Sequence, residues 1–148
     1  MSSLSARALA REQAQEILAL TLWGEAAERP VRAIEALASL VVNRARLAAL
    51  PEGPRHWGEG VAGVCRAPFQ FPCWNRNHPR HAALRAIPPG DAALAICRRI
   101  AARAVAGSLP DATGGATHYH DEALLPAWAL GQPPQAEIGG LLFYRLPG

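Results

Sequence analysis

Leu20-Thr21-Leu22-Trp23-Gly24-Glu25-Ala26 sets one carboxylate at the end of a segment whose spacing is otherwise that of a buried helix. Ala14, Ile17, Leu18 and Thr21 fall on one stripe, and Glu25 lies one helical turn beyond Thr21, so its side chain is expected to point inward. A glutamate at a half-buried helix terminus loses hydration, which disfavours the charged form and raises its pKa, the condition for a general acid near neutral pH. Gly24 lets the helix end or another chain pass close. The competing reading leaves Glu25 on an exposed last turn, since glutamate is seldom fully buried.

The remaining sequence supplies the walls around this residue. The 148 residues suffice for one domain with its own core, and residues 1–148 are read as a single catalytic domain. Half are apolar and 18% charged, a globular profile. The net charge of +3 is carried by scattered arginines, without an Arg-Gly repeat or zinc-finger spacing, so no nucleic-acid partner is expected. Met1 to Gln15 lacks the pattern of a signal peptide, and no apolar run is long enough for stable membrane insertion. The chain is expected to be made in the cytoplasm and to be monomeric.

Helix formers dominate from about Ser5 to Trp23, followed by a turn over Ala26 to Arg29. Pro30 opens a second helix to about Ala49, with Val31, Ile34, Leu37, Ala38, Val41, Val42 and Ala45 on its apolar side. Asn43 and Arg44 either reach back toward the end of the first helix or form a solvated pair. Between Leu50 and Pro89 the periodicity fails, and irregular segments of this length are commonly functional. Val61 to Val64 reads as a short strand or a turn of helix. Phe69-Gln70-Phe71-Pro72-Cys73-Trp74-Asn75 mixes aromatic faces with amides, the combination a sugar ring needs; core packing accounts for Phe69 and Phe71 but less well for Gln70 and Asn75. Cys65 and Cys73 flank this loop and would add about 2 to 3 kcal/mol if oxidised to a disulfide. In a reducing setting they stay thiols, and Cys97 reads as a small buried residue.

Asp91 caps a third helix running to about Ala106 and ended by Gly107. In Ala116-Thr117-His118-Tyr119-His120, an extended chain puts Thr117 and Tyr119 on one face and His118 and His120 on the other. The histidines are candidate groove-lining hydrogen bonders. As a metal pair with Asp111 or Asp121 they match weakly, so no metal or other cofactor is expected. Ile138 to Leu146 closes the chain, with Leu141, Leu142, Phe143 and Tyr144 as a buried strand.

There is no GxSxG elbow, phosphate loop or dinucleotide fingerprint. Neither Cys65 nor Cys73 has the helix start behind it that would activate a thiolate. Glycoside cleavage usually takes two carboxylates, and Glu28, Glu35, Asp111, Asp121 and Glu122 have less inward settings than Glu25. One glutamate suffices where an N-acetyl group supports the oxocarbenium-like centre and the sugar's 6-hydroxyl replaces water, which is lytic transglycosylation.

The run Leu20 to Ala26, with Val41-Val42-Asn43-Arg44, Phe69-Gln70-Phe71, Gly115-Ala116-Thr117-His118-Tyr119 and Phe143-Tyr144, resembles the bacterial cell-wall hydrolase family that includes the spore-cortex-lytic transglycosylases. The resemblance spans nearly the whole chain in order. It implies an α+β, lysozyme-like, two-lobed domain, mainly helical with a small antiparallel sheet, that cleaves peptidoglycan glycan strands between N-acetylmuramic acid and N-acetylglucosamine. Glu25 matches the family's Gly-Glu-Ala glutamate, Gln70 its Gln-Phe motif, and Thr117 and Tyr119 the positions after Gly-Ala; their implied role is to hold the glycan. His120 stands where spore enzymes commonly have asparagine. The implied site of action is the cell wall or periplasm, in a phage or prophage setting. The alternatives are muramidase-type hydrolysis, a non-catalytic glycan-binding module and a histidine-based metallohydrolase.

Overall fold

A computed structural model describes residues 3–68 and 70–147; Phe69, one of the candidate aromatics, lies outside them. The first helix, α1 (Ser3–Ala26), runs past the expected stop at Trp23 and carries Gly24 and Glu25 within its last turns. Its opening residues are exposed, whereas Leu18, Ala19, Thr21, Leu22 and Glu25 are buried. Gly24 does not break the helix. A Cβ there would lie 2.5 Å from Cys73 Cβ, so glycine permits close approach of another segment.

After a short turn, α2 (Val31–Ala48) begins with Pro30 as its cap. Ala33, Ile34, Leu37, Ala38, Leu40 and Val41 are buried, while Val31, expected on the apolar side, is 48% exposed. The irregular span contains two seven-residue helices, α3 (Gly60–Arg66) and α4 (Pro79–Arg85), and tight turns at Arg55–Trp57 and Pro72–Trp74. Helix α3 resolves the Val61–Val64 alternatives in favour of helix. The last helix, α5 (Ala92–Val105), starts as expected: Asp91 Oδ2 accepts the Leu94 N–H at 2.9 Å. The same oxygen accepts Trp23 Nε1–H at 2.9 Å and ties α5 to α1. Leu94, Cys97, Ile100, Ala101 and Ala104 of α5 pack into one core with the inner faces of α1 and α2, and Val64 and Phe71 close it.

The C-terminal third forms an antiparallel sheet of β1 (His118–Asp121), β2 (Ala136–Ile138) and β3 (Leu141–Tyr144), in the order β1-β3-β2. His118 pairs with Tyr144 and Asp121 with Leu141; Ala136 pairs with Phe143. Leu141 to Tyr144 is the closing buried strand as expected, and Ile138 ends the strand that pairs with it. Gly139 and Gly140 make the two-residue turn at φ of 56° and 84°, which a Gly-Gly pair adopts without strain. The architecture is mainly helical α+β with a small antiparallel sheet, as expected. No helix among the described residues is long and apolar enough to cross a membrane.

Candidate active site

The sheet and the irregular span meet at Glu25. Its side chain is 1% exposed, yet it is not an isolated acid in an apolar pocket. Oε1 accepts the Tyr119 hydroxyl at 2.8 Å and Arg80 Nη1–H at 2.8 Å, and Oε2 accepts the Cys73 backbone N–H at 3.0 Å. These donors come from β1, α4 and the Pro72–Trp74 turn. Charge-assisted hydrogen bonds of this kind offset the cost of desolvating a carboxylate. Burial and then the Glu25 charge push the Tyr119 phenol well above its ordinary value, so Tyr119 stays a donor. Its ring stacks between Phe71 and Phe143, with centroids 6.2 and 6.3 Å away. Arg80 differs: its side chain is 45% exposed.

Behind this layer, α2 braces the strand that carries Tyr119. Arg44 is buried and inward-facing, not a solvated residue. Its Nε–H donates to Thr117 O at 2.6 Å and Nη1–H to Gln70 Oε1 at 3.0 Å, and the guanidinium lies over Trp57 and Phe71. Burial lowers its pKa to about 10, against an opposing effect of Tyr119. Asn43 Nδ2 donates to Ala116 O at 3.0 Å and to Asp111 Oδ2 at 3.1 Å. Asp111, considered above as a metal ligand, instead organises its own loop. Desolvation would raise its pKa, but Thr113, Asn43 and Gly115 donate to it and hold it below the ordinary value.

Thr117 is fully buried, so it does not reach a glycan: its hydroxyl donates to Leu146 O and accepts the Leu146 N–H, fastening the chain end beside β1. His118 packs against Trp57 and Trp128. Burial, then Arg44 and His56, lower its pKa to about 4. His120 Nδ1 lies 2.8 Å from Asp121 O, an acceptor only, so it carries the proton; Nε2 then accepts the Tyr144 hydroxyl at 2.8 Å. Both His120 nitrogens are thus committed. Asn75 closes the Pro72–Trp74 turn through its N–H to Pro72 O.

Two cavities flank Glu25. One, of about 510 Å³, is walled by Gln70, Pro72, Tyr119, His120 and the exposed Leu124, Leu125 and Trp128. The other, of about 660 Å³, is walled by Trp23, Glu28, Ala83 and Asp91. Glu25, Arg29, Arg80 and Asp121 line both. Gln70, Tyr119 and His120 are therefore brought to the acid, whereas Thr117, His118 and Asn75 line neither cavity. Arg80 and Asp121 are the residues that sequence reasoning missed or ranked low. Arg29 forms an ion pair with Asp121; the Ala123 N–H first, then the Arg29 charge, hold Asp121 below the usual carboxylate value against some desolvation.

The cysteines are buried thiols, none paired. Burial raises Cys65 to about 12 and Cys97 to about 11, and burial with the Glu25 charge raises Cys73 further. None has the character of a nucleophilic thiolate.

The cell wall hydrolase model matches residues 28–144. The chain belongs to the cell wall hydrolase family. It is a peptidoglycan-degrading enzyme, and Glu25 stands just ahead of the matched stretch. Two solved structures share its fold. The catalytic domain of the Bacillus cereus SleB protein has a TM-score of 0.66 at 21% identity, over 90% of this chain and 91% of that one. The catalytic domain of the germination-specific lytic transglycosylase SleB from Bacillus anthracis also gives 0.66 at 21% identity, over 89% and 93%. No curated protein sequence matches the chain.

Proposed function

We propose that the enzyme is a lytic transglycosylase that cleaves the bond between N-acetylmuramic acid and N-acetylglucosamine, with Glu25 as general acid and then base. The observation that carries this reading is the position of Glu25 on the wall shared by two open cavities, oriented by donors from three separate elements. A polymer must continue on both sides of the bond being cut, and such a wall offers a path on either side. Glu25 gives its proton to the leaving oxygen; the muramic N-acetyl group supports the oxocarbenium-like centre. The carboxylate then takes the proton of the 6-hydroxyl as that oxygen closes the anhydro ring. Gln70, Tyr119 and His120 border the glycan. Residues 1–148 act as one catalytic domain, a monomer, on the cell wall or in the periplasm and in a phage or prophage setting.

Asp121 favours a second reading. It is an ionised carboxylate on the same wall, and a muramidase needs a second carboxylate to activate water. Mass spectrometry of digested peptidoglycan decides between them: anhydro-muramyl ends are expected, and reducing ends together with an inactive Asp121→Asn variant would establish hydrolysis instead. Glu25→Gln is expected to abolish lysis while binding to purified peptidoglycan persists; undiminished lysis would refute the role of Glu25.

A further inference from the structure

Next to the acid lies a cavity that the cleavage chemistry does not use. It is about 560 Å³ in volume and is lined by Arg66, Trp74, Arg76, His81 and Arg85. Every titratable side chain in the lining is basic. The four ion pairs among the described residues engage Arg29, Arg80, Arg98 and Arg103, so none of these three arginines has a carboxylate partner there. Arg66 lies over the Trp74 ring, 5.9 Å from its centroid. Three guanidinium groups around one concavity repel one another, and an anion entering it relieves that repulsion while meeting planar, bidentate donors.

The cavity is tied to Glu25 through a single residue. The Cys73 N–H donates to Glu25 Oε2, and the Cys73 carbonyl lies 2.9 Å from His81 Nδ1. Trp74, the aromatic centre of the cavity, donates its Nε1–H to Thr21, one helical turn before Glu25. One residue of the Pro72–Trp74 turn thus separates the carboxylate from a side chain of the cavity wall. In peptidoglycan, the muramic acid at the scissile bond carries a short peptide bearing free carboxylates, which a neighbouring basic cavity suits.

We propose that this basic cavity binds the carboxylates of the peptide stem and makes the enzyme selective for stem-bearing strands. The inference rests on the peptidoglycan-cleaving reading of Glu25, and its test separates the two. Arg66→Gln, Arg76→Gln and Arg85→Gln, singly and combined, are compared with the wild type on intact peptidoglycan and on glycan strands stripped of stems by an amidase. All three side chains are exposed, and a circular-dichroism melt checks the fold of each variant.

The triple variant is expected to lose about 10- to 100-fold in kcat/KM on intact peptidoglycan, the scale of lost charge-assisted contacts. On stripped strands it is expected to match the wild type, and Arg→Lys replacements should recover part of the loss. Equal losses on both substrates would overturn the stem assignment in favour of a bare-sugar subsite; no loss on either would overturn the site. Because the wall phosphate polymers are also anionic, the assay is repeated on wall stripped of them, and a preference that disappears there would assign the cavity to phosphate and refute the stem. Binding of Glu25→Gln protein to intact and stripped strands, with and without the three arginines, reads the same preference without turnover. A stem preference in binding, together with wild-type protein that cleaves neither substrate, would keep this site and reject the catalytic reading.

Discussion

Replacing Gly24 by alanine tests whether the backbone of the Pro72–Trp74 turn sets the geometry of the acid. The added methyl would stand 2.5 Å from Cys73 Cβ and 2.9 Å from its sulfur, distances at which Cys73 must move. In an isolated helix the change would gain about 1 kcal/mol of propensity, while overpacking costs about 1 to 3 kcal/mol. Stability therefore falls by no more than about 2 kcal/mol, a Tm decrease of several degrees for a chain of this size. The site is affected more. Among the described residues Cys73 carries the only N–H on Glu25 Oε2, and a hydrogen bond to a charged group is worth about 1.5 to 3 kcal/mol. If it orients Glu25 in the transition state, kcat should fall about 10- to 100-fold. The assay is clearance of purified peptidoglycan at saturating substrate, beside a thermal melt. A companion Gly24→Ala/Cys73→Gly protein removes the clashing side chain and should regain most of the activity; the departure from additivity measures the coupling. A folded Gly24→Ala variant with wild-type kcat would refute the idea that this N–H positions the acid.

Further expectations concern the groups around that contact. Tyr119→Phe keeps the ring between Phe71 and Phe143 but removes one of two donors on Glu25 Oε1, so kcat should fall about 10- to 100-fold with little change in Tm; unchanged kcat in peptidoglycan clearance would show the contact to be idle. Arg44→Met strips donors from the buried Thr117 carbonyl and from Gln70, and an unsatisfied buried acceptor costs about 1 to 3 kcal/mol, visible as a Tm drop of several degrees; an unaltered melt would show that α2 does not brace the sheet in this way. His118 resists protonation down to about pH 4, with burial as the first cause, so between pH 6.5 and 4 the unfolded chain binds more protons and stability falls as pH falls. At the usual conversion that is at most about 3 kcal/mol, reduced by solvent screening to about 1 to 2 kcal/mol. His118→Asn should flatten the Tm profile across that window, and a profile with the same slope would place the titration elsewhere.

The helical frame was legible because it rests on local signals. The stripe from Ala14 to Thr21 projects Glu25 inward, and Asp91 and Gly107 bracket α5 by capping chemistry alone. Gly24 was legible as either a helix end or a point of close approach, and only the fold decides for the second, since the approaching residue, Cys73, is forty-nine positions away in the chain. The strand Leu141 to Tyr144 was legible as an apolar run, whereas its partner Ala136–Ile138 is too short to carry a pattern of its own. Arg80 left no signal: it lies in a span without periodicity, and only the fold brings α4 beneath α1. The Cys73 N–H could not be read at all, since a backbone group carries no sequence identity. Thr117 was legible as important but not in what it does, because alternation assigns a face and cannot say that the chain end covers it.

The same donors bear on what Glu25→Gln can teach. The carboxylate accepts on both oxygens, two donors on one and one on the other. An amide has a single acceptor oxygen, so its NH2 must face either Tyr119 with Arg80 or the Cys73 N–H. With the oxygen kept toward the first pair, the NH2 opposes the Cys73 amide, donor against donor, at a cost of about 1 to 3 kcal/mol for a buried N–H left unpaired. Arg80 loses its ion-pair partner as well, though with its side chain 45% exposed it can turn to water. Glu25→Gln should therefore melt several degrees below wild type and remain folded. Loss of lysis assigns the proton to Glu25 only if Tyr119→Phe, which leaves the carboxylate and the Cys73 contact in place, retains measurable turnover. If both variants are equally dead, the carboxylate's geometry, and not its proton, is what the substitution removed.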